Sequence, residues 1–254
     1  MTALTTPPPL LEAHGLSKVY GGFAAVGGVD LSVRAATVHA LIGPNGAGKT
    51  TLFRLLTGEV RPTAGRVLLD GTDIGGRRPH VIARRGMTQT FQITSLFRQL
   101  TPLESVQLAM LATAGHAGRL WGRAATAHRD DALGLLDRVG LADFALAQSG
   151  ALSHGDQRAL EIALALATRP RLLLMDEPTA GMSPPETERV VQLVSGLVHA
   201  EGLTVVLSEH DVDVVFGVSD TVTVLHQGRV IASGSPAAVR ADHRVATVYL
   251  GEGG

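Results

Sequence analysis

The sequence predicts an α/β fold, a strand–helix core that is interrupted by a helical insertion and resumes after it. Three observations carry that expectation. The apolar run Val38-His39-Ala40-Leu41-Ile42 leads straight into Gly43-Pro44-Asn45-Gly46-Ala47-Gly48-Lys49-Thr50, and from Thr51 to Leu56 apolar residues recur at helical spacing. Leu172-Leu173-Leu174-Met175 is continuously apolar, as a strand buried on both faces of a parallel sheet must be. Between them, from about 94 to 166, the chain is rich in Ala, Leu, Arg and Gln with helical periodicity.

The remaining elements follow in chain order. Residues 1–10 are Thr- and Pro-rich and read as a flexible leader. From Leu11 to about Ser32, short apolar stretches broken by Gly21-Gly22 and Gly27-Gly28 predict antiparallel strands with tight turns. Arg66–Leu69 is a further strand, closed by Asp70-Gly71. Thr101-Pro102-Leu103-Glu104 is a capping box with Pro at the first helical position, and Ser153-His154-Gly155-Asp156 opens a second helix. Ser183-Pro184-Pro185-Glu186 repeats the capping-box pattern. The Gly/Ala/Arg stretch from about 115 to 127 reads as a loop or weak helix. Leu203–Leu207 is a strand, and Thr221–Leu225 with Arg229–Ala232 form a hairpin around Gln227-Gly228. There is no internal repeat. The expected organisation is one domain over 11–254, with its core at about 11–92 and 167–254 and its insertion at about 93–166.

Composition narrows the function. A chain of 254 residues can bury a sizeable core. Apolar residues at 45% and charged residues at 18% are an ordinary globular balance. Lys+Arg is 22 against Asp+Glu 23, a net charge of −1, which argues against bulk nucleic-acid binding. The absence of Cys excludes disulfides, thiolate catalysis and cysteine-ligated zinc. No uncharged apolar run reaches the ~18 residues of a membrane span, and the N-terminus lacks the basic and apolar regions of a secretory signal. The expected setting is cytoplasmic.

Gly43–Thr50 fits G-x-x-x-x-G-K-[ST] between a strand and a helix, the context that makes the pattern a phosphate-binding loop. Its glycines let backbone N–H groups wrap phosphate oxygens, and the helix N-terminus adds partial positive charge. Lys49 can reach the β- and γ-phosphates. The Thr50 hydroxyl can coordinate Mg²⁺, which prefers oxygen ligands. The Leu172–Met175 strand ends in Asp176-Glu177. At the sheet's C-terminal edge Asp176 can hold Mg²⁺ through water, and Glu177 can act as a general base on an attacking water. Ser153 and Gly155, at a helix N-terminus, offer a second phosphate-binding end. Gln92 follows Phe91 between the core and the insertion. His210, in Ser208-Glu209-His210-Asp211, ends a strand where it can contact a γ-phosphate. Taken singly, these last three read equally well as a capping box, a surface amide and a solvated imidazole.

Taken together, GPNGAGKT, TFQ, LSHGD, LLLMDE and SEH, in that order, resemble the Walker A, Q-loop, signature, Walker B and switch-histidine motifs of ABC transporter ATPases, and the resemblance covers nearly the whole chain. It implies a RecA-like P-loop core with an antiparallel β subdomain and an inserted α-helical subdomain. It implies ATP and Mg²⁺ as ligands, with Gly43 through Thr51 around the phosphates, Thr50, Gln92 and Asp176 around the metal, and Lys49, Gln92, Glu177 and His210 in catalysis. Tyr20 lies 29 residues before Lys49, where the family stacks an aromatic ring on adenine; the other reading is a strand-edge tyrosine. The resemblance also implies a head-to-tail dimer with an identical or paralogous ATPase, each ATP lying between Walker A of one subunit and Ser153 and Gly155 of the other. The subunits would sit at the inner face of the membrane on transmembrane permeases, served by a periplasmic or extracellular solute-binding protein and without nucleic acid.

Two departures stand out. The usual LSGGQ is LSHGD here, with His154 and Asp156 at its third and fifth positions, Asp156 suited to close a box with Ser153. The loop after Walker B usually carries Asp and has Ser183 here, which bears on communication between the two ATP sites. The stretch from Gly86 to Met110, the long segment between Met110 and Leu133, and the ending Val248-Tyr249-Leu250-Gly251-Glu252 resemble branched-chain amino acid import ATPases; urea, amide and other solute importers and the lipopolysaccharide exporter use similar subunits. The apolar residues Ile93, Leu96, Phe97, Leu100 and Leu103 are expected to line the groove for a permease helix or to fill the insertion's own core. An ABC ATPase acting on nucleic acid or ribosomes and a small-molecule kinase fit less well, because the chain has one P-loop, no sustained heptads and the LSHGD element.

Overall fold

A computed structural model describes residues 8–90, 98–113 and 128–250. Two sheets organise the chain. The first is antiparallel, in the order β2-β1-β4-β5, with β1 Leu11–Tyr20, β2 Phe23–Val33, β4 Ala64–Leu69 and β5 Thr72–Asp73. Its β1–β2 turn is Gly21-Gly22, as the sequence suggests. Gly27-Gly28 does not turn the chain. Both glycines lie inside β2, where the pairing slips from Leu16↔Val29 to Lys18↔Val26, and the surplus residue makes a bulge. The Gly28 N–H donates to Ser17 Oγ at 2.9 Å.

The second sheet runs β10-β9-β3-β8-β7-β6, with β3 Val38–Ile42, β6 Met87–Gln89, β7 Leu172–Asp176, β8 Thr204–Ser208, β9 Thr221–His226 and β10 Arg229–Gly234. All neighbours are parallel except β9 and β10, which form the expected hairpin. Gln227 and Gly228 turn it with φ of 48° and 76°. Because β8 lies between β3 and β7, the loops leaving these three strands meet at one edge, although they are far apart in sequence.

The helices are α1 Lys49–Leu56, α2 Pro79–Ala83, α3 Pro102–Thr113, α4 Arg129–Arg138, α5 His154–Leu166, α6 Pro184–Glu201, α7 Val212–Val218, α8 Pro236–Arg240 and α9 His243–Leu250. The caps agree with the sequence. Thr101 N donates to Glu104 Oε2 at 2.8 Å, and Glu104 N to Thr101 Oγ1 at 3.1 Å. Ser183 and Glu186 form the same reciprocal box at α6. The short elements β6, α2 and α7 to α9 carry too few periodic residues to be anticipated. The 115–127 stretch lies outside the described residues.

The parallel sheet is buried on both faces, and β7 shows it residue by residue. Leu172 and Leu174 join Leu16, Val29, Leu52 and Phe53 in a core beneath the antiparallel sheet and α1. Leu173 and Met175 join Ile162, Val194 and Val205 in a second core under α5 and α6. Successive strand side chains point to opposite faces, so a strand between two cores must be apolar throughout.

Candidate functional site

The loop between β3 and α1 is shaped by what its glycines touch. Gly43 has φ 153°, and a Cβ there would lie 2.2 Å from the Leu225 carbonyl oxygen of β9. Gly48 has φ 105°, and a Cβ there would meet the Ala25 carbonyl oxygen at 2.5 Å. The turn is buttressed from outside: Gly228 N donates to Ala47 O at 2.9 Å, and Gly27 N to Gly228 O at 2.8 Å. The β2 bulge and the β9–β10 hairpin thus brace the loop. Lys49 is buried, and its ammonium donates to the carbonyls of Gly43 at 2.6 Å and Pro44 at 3.3 Å. Burial lowers its pKa, and the charges of Glu177 and Asp176 partly restore it. Asp176, the last residue of β7, and Glu177 after it therefore lie near enough to the loop's lysine for their charges to act on it.

The carboxylate edge is held by β8. The Ser208 hydroxyl donates to Asp176 Oδ1. Glu177 N donates to Ser208 O at 3.0 Å and lies 3.1 Å from its hydroxyl oxygen. Glu177 sits at φ 49°, a left-handed conformation unusual outside glycine that persists only where its surroundings hold it. The holder is Arg158 on α5, whose guanidinium donates to Glu177 O at 3.1 Å and Pro178 O at 2.9 Å and pairs with Glu161. His210 Nε2 lies 2.7 Å from Glu177 Oε1, so the expected base and the expected switch histidine touch. Buried Glu209 accepts Thr179 N at 2.8 Å and Thr179 Oγ1 at 2.7 Å and ties the two loops together.

Ser153 caps α5: its hydroxyl oxygen accepts Asp156 N at 3.1 Å and its proton goes to Asp156 Oδ2 at 2.7 Å. Asp156 therefore meets the capping hydroxyl, not the backbone N–H of a reciprocal box. Gly155 N donates to Glu186 Oε1 at 3.2 Å. The other Glu186 oxygen accepts Ser183 N at 3.0 Å and Ser183 Oγ at 2.7 Å, and these bonds hold the carboxyl pKa down at about 2.

Tyr20 ends β1 on the hairpin whose Ala25 abuts Gly48; its ring is exposed and carries the Lys18 ammonium 4.9 Å from its centroid. Gln92 and the apolar residues Ile93, Leu96 and Phe97 lie outside the described residues. Leu103 is buried in the insertion's own core beside Val106 and Ala145, so it does not line a groove. The parts played by Ser208, Arg158 and Glu209 were missed from sequence, as was the bracing of the β3–α1 loop by the Gly228 turn, although the turn itself was read correctly. Serine before Glu209-His210 and an arginine five residues after Ser153 were the only available signals, and neither is specific.

Comparison with known proteins finds ATP-binding cassettes of ABC transporters. A family profile described as ABC transporter matches residues 26–180, and one described as branched-chain amino acid ATP-binding cassette transporter matches 229–254. The chain is 42% identical over 251 residues to BraF, a high-affinity branched-chain amino acid transport ATP-binding protein of Pseudomonas aeruginosa, covering 96% of this chain and 98% of BraF. It is 41% identical to LivG of Escherichia coli, of the same description, with the same coverage. The ADP conformation of an ATP-binding cassette of an ABC transporter superposes with a TM-score of 0.86 at 29% identity, over 96% of this chain and all of the other. A dimeric post-hydrolysis cassette bound to ADP and Pi matches with a TM-score of 0.74 at 27% identity, over 89% of this chain and 98% of the other.

Proposed function

Since the chain belongs to the ABC transporter family and is an ATP-hydrolysing cassette, we propose that it powers the import of branched-chain amino acids through transmembrane permeases. For hydrolysis, the supporting observation is the convergence of Lys49, Asp176, Glu177 and His210 where β3, β7 and β8 end. For the solute, it is the match of residues 229–254 together with near full-length identity to two branched-chain amino acid transport ATPases.

In this reading Lys49 exchanges the Gly43 and Pro44 carbonyls for phosphate oxygens, keeping its ammonium paired at each stage. Gly43 through Thr51 surround the triphosphate, and Tyr20 stacks on the adenine. Thr50 and Asp176 present oxygen donors, the set that suits Mg²⁺, and Ser208 fixes the Asp176 rotamer. Mg²⁺, when bound with the triphosphate, neutralises developing charge on the phosphoryl oxygens. Gln92, which lies outside the described residues, is the further metal ligand that the family resemblance implies. Glu177 takes a proton from the attacking water, and His210 orients its carboxylate from 2.7 Å away. Ser153 and Gly155 contact the ATP of a second ATPase subunit.

No helix among the described residues is long and apolar enough to cross a membrane, so the chain would reach the membrane through its permeases. A solute-binding protein outside the membrane would deliver the cargo. The test is ATP hydrolysis by the transporter assembled with its permeases. We expect stimulation by the solute-binding protein loaded with leucine, isoleucine or valine. Stimulation by urea or amides alone would contradict the assignment of the solute.

A further inference from the structure

The two donors that Ser153 and Gly155 would offer to a partner's ATP already have acceptors in this chain, and both acceptors are carboxylates. The Ser153 hydroxyl donates to Asp156 Oδ2 at 2.7 Å, and Gly155 N donates to Glu186 Oε1 at 3.2 Å. We propose that Asp156 and Glu186 are internal stand-ins for phosphate at the signature, and that they must release Ser153 and Gly155 before the signature can close on ATP. This rests on the reading of Ser153 and Gly155 as phosphate donors in a composite site.

The packing supports a gate of this kind. Glu186 is not a loose surface acid. One oxygen is anchored at the start of α6 by Ser183 N and Oγ, so the other is aimed at Gly155 from a fixed base. Its Cβ and Cγ lie 3.3 and 3.2 Å from where a Gly155 Cβ would stand, so Glu186 packs closely against the glycine and any side chain there would press on it. The carboxyl is ionised at neutral pH. Asp156 has an alternative partner in Arg189, whose Nη1 lies 3.7 Å from Oδ1. A small rotation of Asp156 toward Arg189 would free the serine hydroxyl and keep its charge paired. Glu186 has the Ser183 anchor to fall back on in the same way. Both carboxylates can therefore withdraw to partners they already touch.

Two anions beside a phosphate site oppose a triphosphate until they move. The device also links the loop after Walker B to the signature within one subunit, through Glu186 in place of the usual aspartate at Ser183. The signature of this chain is then a slow-closing half-site, and removing either charge should make it close more readily.

The experiment is sedimentation of full-length Glu177→Gln protein with Mg-ATP, alone and with Glu186→Gln, Asp156→Asn or both. Each single change is expected to lower the protein concentration for half-association roughly three- to fivefold, the size of one ordinary charge effect, and the pair to lower it further. The monomer's affinity for ATP serves as the folding control. Loss of a merely structural cap would weaken association, so tightening is diagnostic. A Gly155→Asp variant separates the two levels. If it abolishes association while Glu186→Gln and Asp156→Asn do not tighten it, the gate is wrong and the composite site stands. If Gly155→Asp associates as well as its parent, the signature reading fails and the gate with it. If neither the parent nor the double variant associates, the gate is likewise overturned.

Discussion

Replacing Lys49 by alanine removes an ammonium that two loop carbonyls hold in place for a phosphate. A hydrogen bond from a charged group contributes about 1.5–3 kcal/mol, so nucleotide affinity should fall roughly ten- to a hundredfold, measurable by titration with a fluorescent ATP analogue. His210→Ala should leave that affinity intact and cut turnover roughly tenfold or more, because Glu177 loses its orienting partner. Unchanged hydrolysis would reduce His210 to a surface residue. The residues whose placement was legible in the sequence were those set by local spacing: Lys49 and Thr50 follow the loop glycines, Asp176 and Glu177 end an apolar strand, and Ser153 opens a helix. Arg158, Ser208 and Glu209 were not legible. Arg158 holds a carbonyl 19 residues away, and Ser208 and Glu209 bond to residues about 30 positions away, contacts that exist only because β8 lies beside β7.

At the scale of elements, β3 carries a buried histidine near its start, at the far end from the loop it launches. His39 is 2% exposed and lies 2.8 Å from Thr223 Oγ1 on β9, which in turn meets Ser233 of β10 at 2.8 Å. Burial, helped by the charge of Arg34, lowers its pKa to about 4. The folded pKa is below the unfolded value near 6.5, so the unfolded chain binds the proton more readily between those limits. His39 therefore leaves stability intact above about pH 6.5 and takes it away as pH falls toward 4, by up to about 3 kcal/mol. Urea unfolding at pH 7 and pH 5 should show the loss, and His39→Gln should flatten it. The loop after β3 has its own test. Gly43→Ala should abolish nucleotide binding, because its Cβ would lie 2.2 Å from Leu225 O. Strand periodicity and turn glycines made these elements readable. The β2 bulge was read as a turn because a Gly-Gly pair signals either, and only the pairing register against β1 distinguishes them.

Across the whole molecule, one parallel sheet between two cores positions everything else. The antiparallel sheet braces the phosphate loop through Ala25 and Gly27, while α5 reaches from the insertion to hold Glu177 through Arg158. A shift of the insertion would therefore be felt at the carboxylate edge, the connection a transport motor needs. Arg158→Lys should keep the fold but lower turnover, because a single ammonium cannot serve both carbonyls and Glu161 in the fork geometry of a guanidinium. The insertion also exposes Leu108, Phe144 and Leu146. Phe144→Glu with Leu146→Glu should reduce co-purification with the permeases and leave the isolated subunit's ATP affinity unchanged.

The most direct measurement is phosphate release from ATP by the wild type and by Glu177→Gln, at ATP concentrations that saturate both. The account predicts equal nucleotide affinity and a loss of turnover of at least roughly a hundredfold, because the substitution removes the base and leaves Lys49, Thr50 and Asp176 in place. Equal turnover by the two proteins would contradict it.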